Sequence, residues 1–140
     1  MSMAETRKTQ SFRADIAEME NVYSFIKRSL GAYNVTGRVV LLMEMAADEI
    51  FSNIVKYAYA EPRDAKVEME LDVRNGVVEM IFRDNGVPFD PLKVEPPDFT
   101  LDAHAKEPGG LGIHLVKSTL DELSYIREND SNVLTLKKHV

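Results

Sequence analysis

Between Thr36 and Tyr59 the apolar residues Met43, Ala46, Ala47, Ile50, Ile54 and Tyr57 recur every three or four positions. Glu44, Asp48, Ser52 and Lys56 form a separate polar stripe. That period predicts a helix with one buried face, and Pro62 forbids its continuation. An earlier stretch, DIAEMENVYSFIKRSL, places Met19, Val22, Phe25, Ile26 and Leu30 on one helical face. Asp15 and Glu18 have the spacing of a capping box there, and Gly31 offers a stop. From Lys66 the period drops to two. Val67, Met69, Leu71 and Val73 alternate with Glu68, Glu70 and Asp72, which predicts a strand with one wet face. Asn75-Gly76 signals a tight hairpin, and VVEMIFRDNG is apolar enough for a central strand. TQSFRA, residues 9–14, is a candidate first strand.

Regularity lapses between Pro88 and Gly110, a stretch that holds five of the six prolines. Loops of that length inside a compact domain are often lids or binding loops. Helical spacing resumes at GIHLVKSTLDEL, and the chain closes on a hairpin of LSYIREND and SNVLTLKKH. Helices first, then a meander, a loop with a helix and a final hairpin predict an α+β fold. Its form is a two-layer sandwich, helices packed on one face of a mostly antiparallel, mixed sheet. A length of 140 residues fits one domain, 1–140, with a real core.

Composition narrows the function. The 44 % hydrophobic and 29 % charged content is that of an ordinary globular chain. A net charge of −6 argues against nucleic acid as the main ligand, since phosphate-backbone binding needs a basic surface. It leaves room for a single nucleotide, held by backbone N–H groups and a metal ion. There are no cysteines, hence no disulfides or thiolate chemistry. MSMAETRKTQ carries no apolar run after its charges, and no segment is apolar for long enough to span a membrane. The expectation is a cytoplasmic protein that binds neither nucleic acid nor membrane.

Three places could carry chemistry. Glu49 and Asn53 are one turn apart on the long helix, with Cβ atoms roughly 5–6 Å apart. An amide oxygen suits Mg²⁺, and a neighbouring carboxylate suits proton abstraction from a hydroxyl; taken alone, the pair is more simply a polar helix boundary. In RDNGVPFDP, Asp84 ends the central strand and Gly86 permits a backbone conformation closed to other residues. Such an aspartate can accept from an exocyclic amine, or can merely shape a turn. In EPGGLGIHLVK, glycines 109, 110 and 112 precede a helix whose free N–H groups would attract phosphate, or they form a hinge. No Gly-Lys-Ser/Thr follows, so this is not a P-loop. His104, His114 and His139 are too scattered for a structural zinc site, no Gly-x-Ser-x-Gly elbow occurs, and Met43, Met45, Met69 and Met80 fit core positions.

The order of the three is more specific than any one of them. A helix with Glu-x-x-x-Asn, a hairpin ending in Asp-x-Gly, a long loop and a Gly-x-Gly opening a helix resemble the GHKL superfamily of ATP-binding domains. DEIFSNIVKYAY is similar to its N box, DNGVPFDP to its first glycine box and GGLGIHLVK to its second. The resemblance covers roughly residues 10–138. The length and the GVPFDP continuation are most similar to bacterial anti-sigma-factor serine/threonine kinases. It implies a Bergerat-type fold, ATP and Mg²⁺ as cofactors, and Asn53 as the Mg²⁺ ligand. It makes Glu49 the base for a partner's serine hydroxyl. Asp84 would read adenine N6, and Gly86 would let the backbone approach the base. Gly110, Leu111 and Gly112 would hold phosphates, with Lys56 at a basic position that touches them in histidine-kinase relatives. Residues 94–109 would form the ATP lid. The implied partners are an anti-anti-sigma (STAS-type) protein and a sigma factor, and the implied working unit is a homodimer.

One departure stands out. Several members of the family carry an arginine beside the second glycine box that reaches the terminal phosphate. Here Glu107, Pro108 and Gly109 occupy that neighbourhood, and no arginine lies between Asp84 and Ile126. Lys106 and His104 are the nearest basic side chains. An ATP-dependent protein-binding switch without significant kinase activity is therefore the alternative to a kinase.

Overall fold

A computed structural model describes residues 7–59, 65–93 and 116–140 of the chain. Five strands form one sheet: β1 (Lys8–Arg13), β2 (Lys66–Arg74), β3 (Val77–Asp84), β4 (Glu122–Glu128) and β5 (Ser131–His139). Their order is β1-β2-β3-β5-β4, which makes β3 the middle strand as its apolar run predicts. All four pairings are antiparallel, so the described sheet is not the mixed one expected. The cause is local. β2–β3 and β4–β5 turn through Asn75-Gly76 and Asn129-Asp130, each residue at positive φ, and such tight turns join only antiparallel strands.

Two helices, α1 (Met19–Ala32) and α2 (Arg38–Asn53), cover one face of the sheet. Asp15 does cap the chain ahead of α1, accepting from Ala17 N at 2.9 Å, but over a short 3-10 turn, Ile16–Glu18. Glu18 does not complete a capping box, because its carboxylate is drawn to Arg13 and Asn21. Gly31 lies inside the last turn of α1 rather than stopping it. The reversal falls to Asn34 at φ 63°, with Val35 N bonded back to Leu30 O at 3.0 Å.

Phe12 of β1 meets Phe25 of α1 and Phe51 of α2 edge-on, with ring centroids 5.9 and 6.3 Å apart. This geometry is favoured beyond the area it buries. Val67, Met69, Leu71, Met80, Phe82 and Leu136 supply the sheet side of the same core. α2 runs on into a π-helical turn, Ile54–Ala58, whose extra residue advances the helix phase. Ala58 is consequently buried and Tyr57 is 40 % exposed, reversing the expected burial of Tyr57. Met45 is also exposed instead of lying in the core.

The opposite sheet face carries ion pairs, among them Arg7 with Glu70, Asp72 and Glu79, and Lys137 with Glu79 and Glu122. Residues 116–119 are helical, and β4 has begun by Glu122, so the helix read in GIHLVKSTLDEL ends earlier than its spacing suggests. The start of that helix, the lid expected over 94–109, and Pro62 lie outside the described residues. No helix among the described residues is long and apolar enough to cross a membrane.

Candidate functional site

The last turn of α2 sets Glu49 and Asn53 side by side. Asn53 Nδ2 donates to Glu49 Oε1 at 3.2 Å. Asn53 is 4 % exposed, and among the described residues its Oδ1 accepts no hydrogen bond. A buried amide oxygen without a donor is costly unless something else meets it. A hard neutral oxygen of this kind fits Mg²⁺. Glu49 lies on the rim of a cleft of about 210 Å³ between α2 and residues 116–119, lined also by Leu42, Met45, Ala46, Val116 and Thr119.

The second pole is the end of β3. Asp84 is 5 % exposed, and its Oδ1 accepts from Gly86 N at 3.0 Å and from Asn132 Nδ2 at 2.9 Å. Oδ2 has no partner among the described residues. Burial pushes the Asp84 carboxyl above the usual carboxylate range, while the bonds from Asn132 and Gly86 and the charge of Arg127 pull it back.

Gly86 does not owe its place to a left-handed backbone, since its φ is not among the positive ones. It is there for space: an ideal Cβ would lie 2.4 Å from Ala58 O and 2.9 Å from Ala58 Cβ. Val87 N donates to the same carbonyl at 2.9 Å, which locks the turn after β3 against the π-turn after α2. Tyr57 stacks on Phe89 at 5.3 Å along that seam, and Lys56 Nζ sits 5.0 Å from the Tyr57 ring centroid. The two poles therefore flank one stretch of backbone, Asn53 at the start of the π-turn and Asp84 against its end.

Four contributors were not nominated from sequence. Tyr59 bonds to Lys66 O and Asn85 Oδ1, each at 3.0 Å, and accepts from Asn85 N at 3.1 Å. Burial first, and the charge of Asp84 second, hold its hydroxyl above the ordinary tyrosine range. Asn132, Tyr125 and Arg127 come from the final hairpin, and Arg127 Nη1 donates to Gly86 O at 2.8 Å. For the three on the hairpin, the available signal was polar residues at inward positions of strands that otherwise point apolar side chains inward. Gly110, Leu111 and Gly112 lie outside the described residues. A larger concavity, about 650 Å³, opens beside the ion-paired sheet face and is lined by Arg7, Arg74, Glu79 and Lys137. None of the nominated residues lines it, and its charges largely neutralise one another.

Comparison with known proteins identifies the family. Residues 12–138 match the family model of the histidine kinase-like ATPase domain. The serine/threonine-protein kinase BtrW of Bordetella bronchiseptica is 30 % identical over 104 residues, which is 74 % of this chain and 73 % of BtrW. The serine-protein kinase RsbW of Listeria monocytogenes is 30 % identical over 98 residues, covering 66 % of this chain and 62 % of RsbW. The chain thus spans under two thirds of that relative. A crystal structure of the RsbU and RsbW domains of Rv1364c from Mycobacterium tuberculosis superposes with a TM-score of 0.64 at 13 % identity. It covers 94 % of this chain and 32 % of that one, and at such identity the likeness is one of fold. With residues 12–138 matched, nearly its whole length, the chain belongs to the histidine kinase-like ATPase domain family.

Proposed function

We propose that the chain is an anti-sigma regulatory kinase that moves the γ-phosphoryl group of ATP onto a serine or threonine of an anti-anti-sigma, STAS-type partner, and that it also binds a sigma factor. The observation that carries this reading is the pair of buried acceptors, Asp84 Oδ2 and Asn53 Oδ1, which meet no donor among the described residues and lie on either side of one backbone seam. One suits a base amine and the other a cation.

In this reading Asp84 accepts the adenine N6 amine. Gly86 brings its backbone close to the base, while Gly110, Leu111, Gly112 and Lys56 meet the phosphates under a lid over 94–109. Asn53 would hold Mg²⁺, which when bound would supply charge neutralisation at the phosphate oxygens. The partner's hydroxyl oxygen attacks the γ-phosphorus, the bond to the β–γ bridging oxygen breaks, and ADP leaves. Glu49 takes the hydroxyl proton. Little else is asked of the protein in phosphoryl transfer than placement, charge neutralisation and a base. The proposed working unit is a homodimer in the cytoplasm.

Replacing Glu49 by Gln keeps size and removes the base, so transfer of labelled phosphate to the partner should fall roughly 10²- to 10⁴-fold with ATP binding retained. Undiminished transfer by Glu49→Gln would contradict the role. An ATP-dependent switch without useful kinase activity is the second reading. It is favoured by Arg127, the first arginine after Asp84, being bonded to Gly86 O at the base end of the site instead of the phosphate end. Stoichiometric phosphorylation of the partner's serine would exclude that reading.

A further inference from the structure

Asn132 is a neutral side chain, 4 % exposed, on β5 directly opposite Asp84. A buried amide is tolerated when its hydrogen-bonding capacity is filled. Here it is filled completely. Nδ2 donates to Asp84 Oδ1 at 2.9 Å and to Val87 O at 2.8 Å, while Oδ1 accepts from Phe89 N at 3.2 Å and from the Tyr125 hydroxyl. An amide offers two donors and two lone pairs, so nothing of Asn132 is left for a ligand. All four partners nevertheless belong to the base end of the site or to the strand that backs it.

We propose that Asn132 is the positioning residue of the Asp84 end of the candidate site, tying the turn after β3 to β5 and occupying Asp84 Oδ1 so that Oδ2 alone faces a bound amine. The proposal rests on the nucleotide reading above. With donors from Gly86 and Asn132 on a single oxygen, the carboxylate cannot rotate without breaking both bonds. Donors also favour the ionised form against the burial that opposes it. Among the described residues, the groups that face Asp84 are few. Arg127 comes from β4, Tyr59 from the turn after α2, Tyr125 reaches Asn132 and not the carboxylate, and β2 offers the uncharged Val67 opposite.

The test uses the full chain, Asn132→Leu and Asn132→Asp, with two readouts: the carboxyl ¹³C titration of Asp84 without ligand, and calorimetry of Mg-ATP binding against pH. In wild type, binding should weaken as pH falls and Asp84 protonates. Asn132→Leu should raise the Asp84 midpoint and weaken binding at pH 7 by roughly 10- to 100-fold, the loss expected for a hydrogen bond to a charged group. Asn132→Asp keeps the shape and sets two carboxyls side by side, which then share a proton. That proton replaces the lost donor, so binding should persist at low pH and fail as pH rises, the reverse of wild type. If Asn132→Leu does not fold, the isosteric variant carries the test. A lowered Tm with an unmoved Asp84 midpoint and a wild-type pH slope would mean a purely structural residue and overturn the proposal. Absence of ATP binding by wild type, with the Asp84 shift intact, would remove the nucleotide reading but leave the positioning of Asp84 standing.

Discussion

Gly86 is where a single atom decides the most. A methyl there meets the Ala58 carbonyl oxygen at 2.4 Å, and that oxygen is backbone, not the free end of a side chain. Gly86→Ala must therefore part the turn after β3 from the end of the π-turn. Overpacking of this kind costs about 1–3 kcal/mol, which urea unfolding will measure, and ATP affinity should fall with it. Asp84 makes the opposite bargain. Its folded-state carboxyl lies above the unfolded value because burial opposes the charge. Between those two values the folded chain binds the extra proton, so stability falls as pH rises through them and the penalty is complete above the folded one. Asp84→Asn keeps an oxygen for Gly86 and Asn132 and carries no charge. The variant should then be at least as stable as wild type at pH 7, with its advantage shrinking as pH drops through the carboxyl range. Thermal unfolding across pH checks the sign; an advantage that grows on acidification would contradict it.

Among the elements, the join between α2 and the sheet matters most. The Tyr59 hydroxyl holds the end of the π-turn to Lys66 O at the start of β2 and to Asn85 just past β3. Tyr59→Phe should cost about 1–2 kcal/mol, the range of one or two hydrogen bonds, and should weaken ATP binding more than a surface change of equal cost. Denaturant midpoints together with calorimetry separate the two effects. The strands and both main helices were legible because their periods are strong: Val67, Met69 and Leu71 alternate cleanly, and Met43, Ala46, Ala47 and Ile50 keep one face. The π-turn was not legible. One inserted residue changes no composition, yet it moves Tyr57 outward and Ala58 inward. Glu18 likewise has capping-box spacing but is captured by Arg13 and Asn21, while Asp15 N, which the box would satisfy, donates to Arg13 O.

At the scale of the molecule, the site is assembled from segments far apart in sequence. Glu49 and Asn53 come from α2, Asp84 and Gly86 from the end of β3, and Asn132 and Arg127 from the last hairpin. The first two pairs were readable as short motifs, since each spans only a few consecutive residues. Asn132 was not, because its meaning arises only when β5 pairs with β3 and sets it across from Asp84. Such a site also links ligand to fold. Mg-ATP at a hundred times its Kd should add about 2.7 kcal/mol to the unfolding free energy, seen as a rise in Tm that is at least halved in Asp84→Asn at the same ligand concentration. The most direct measurement is calorimetry of ATP binding with and without Mg²⁺ on wild type and Asp84→Asn. Binding that needs Mg²⁺ and weakens by roughly 10- to 100-fold in the variant is expected, since a charged acceptor is lost. Equal binding by both proteins, or none by wild type, would contradict a nucleotide site built on Asp84 and Asn53.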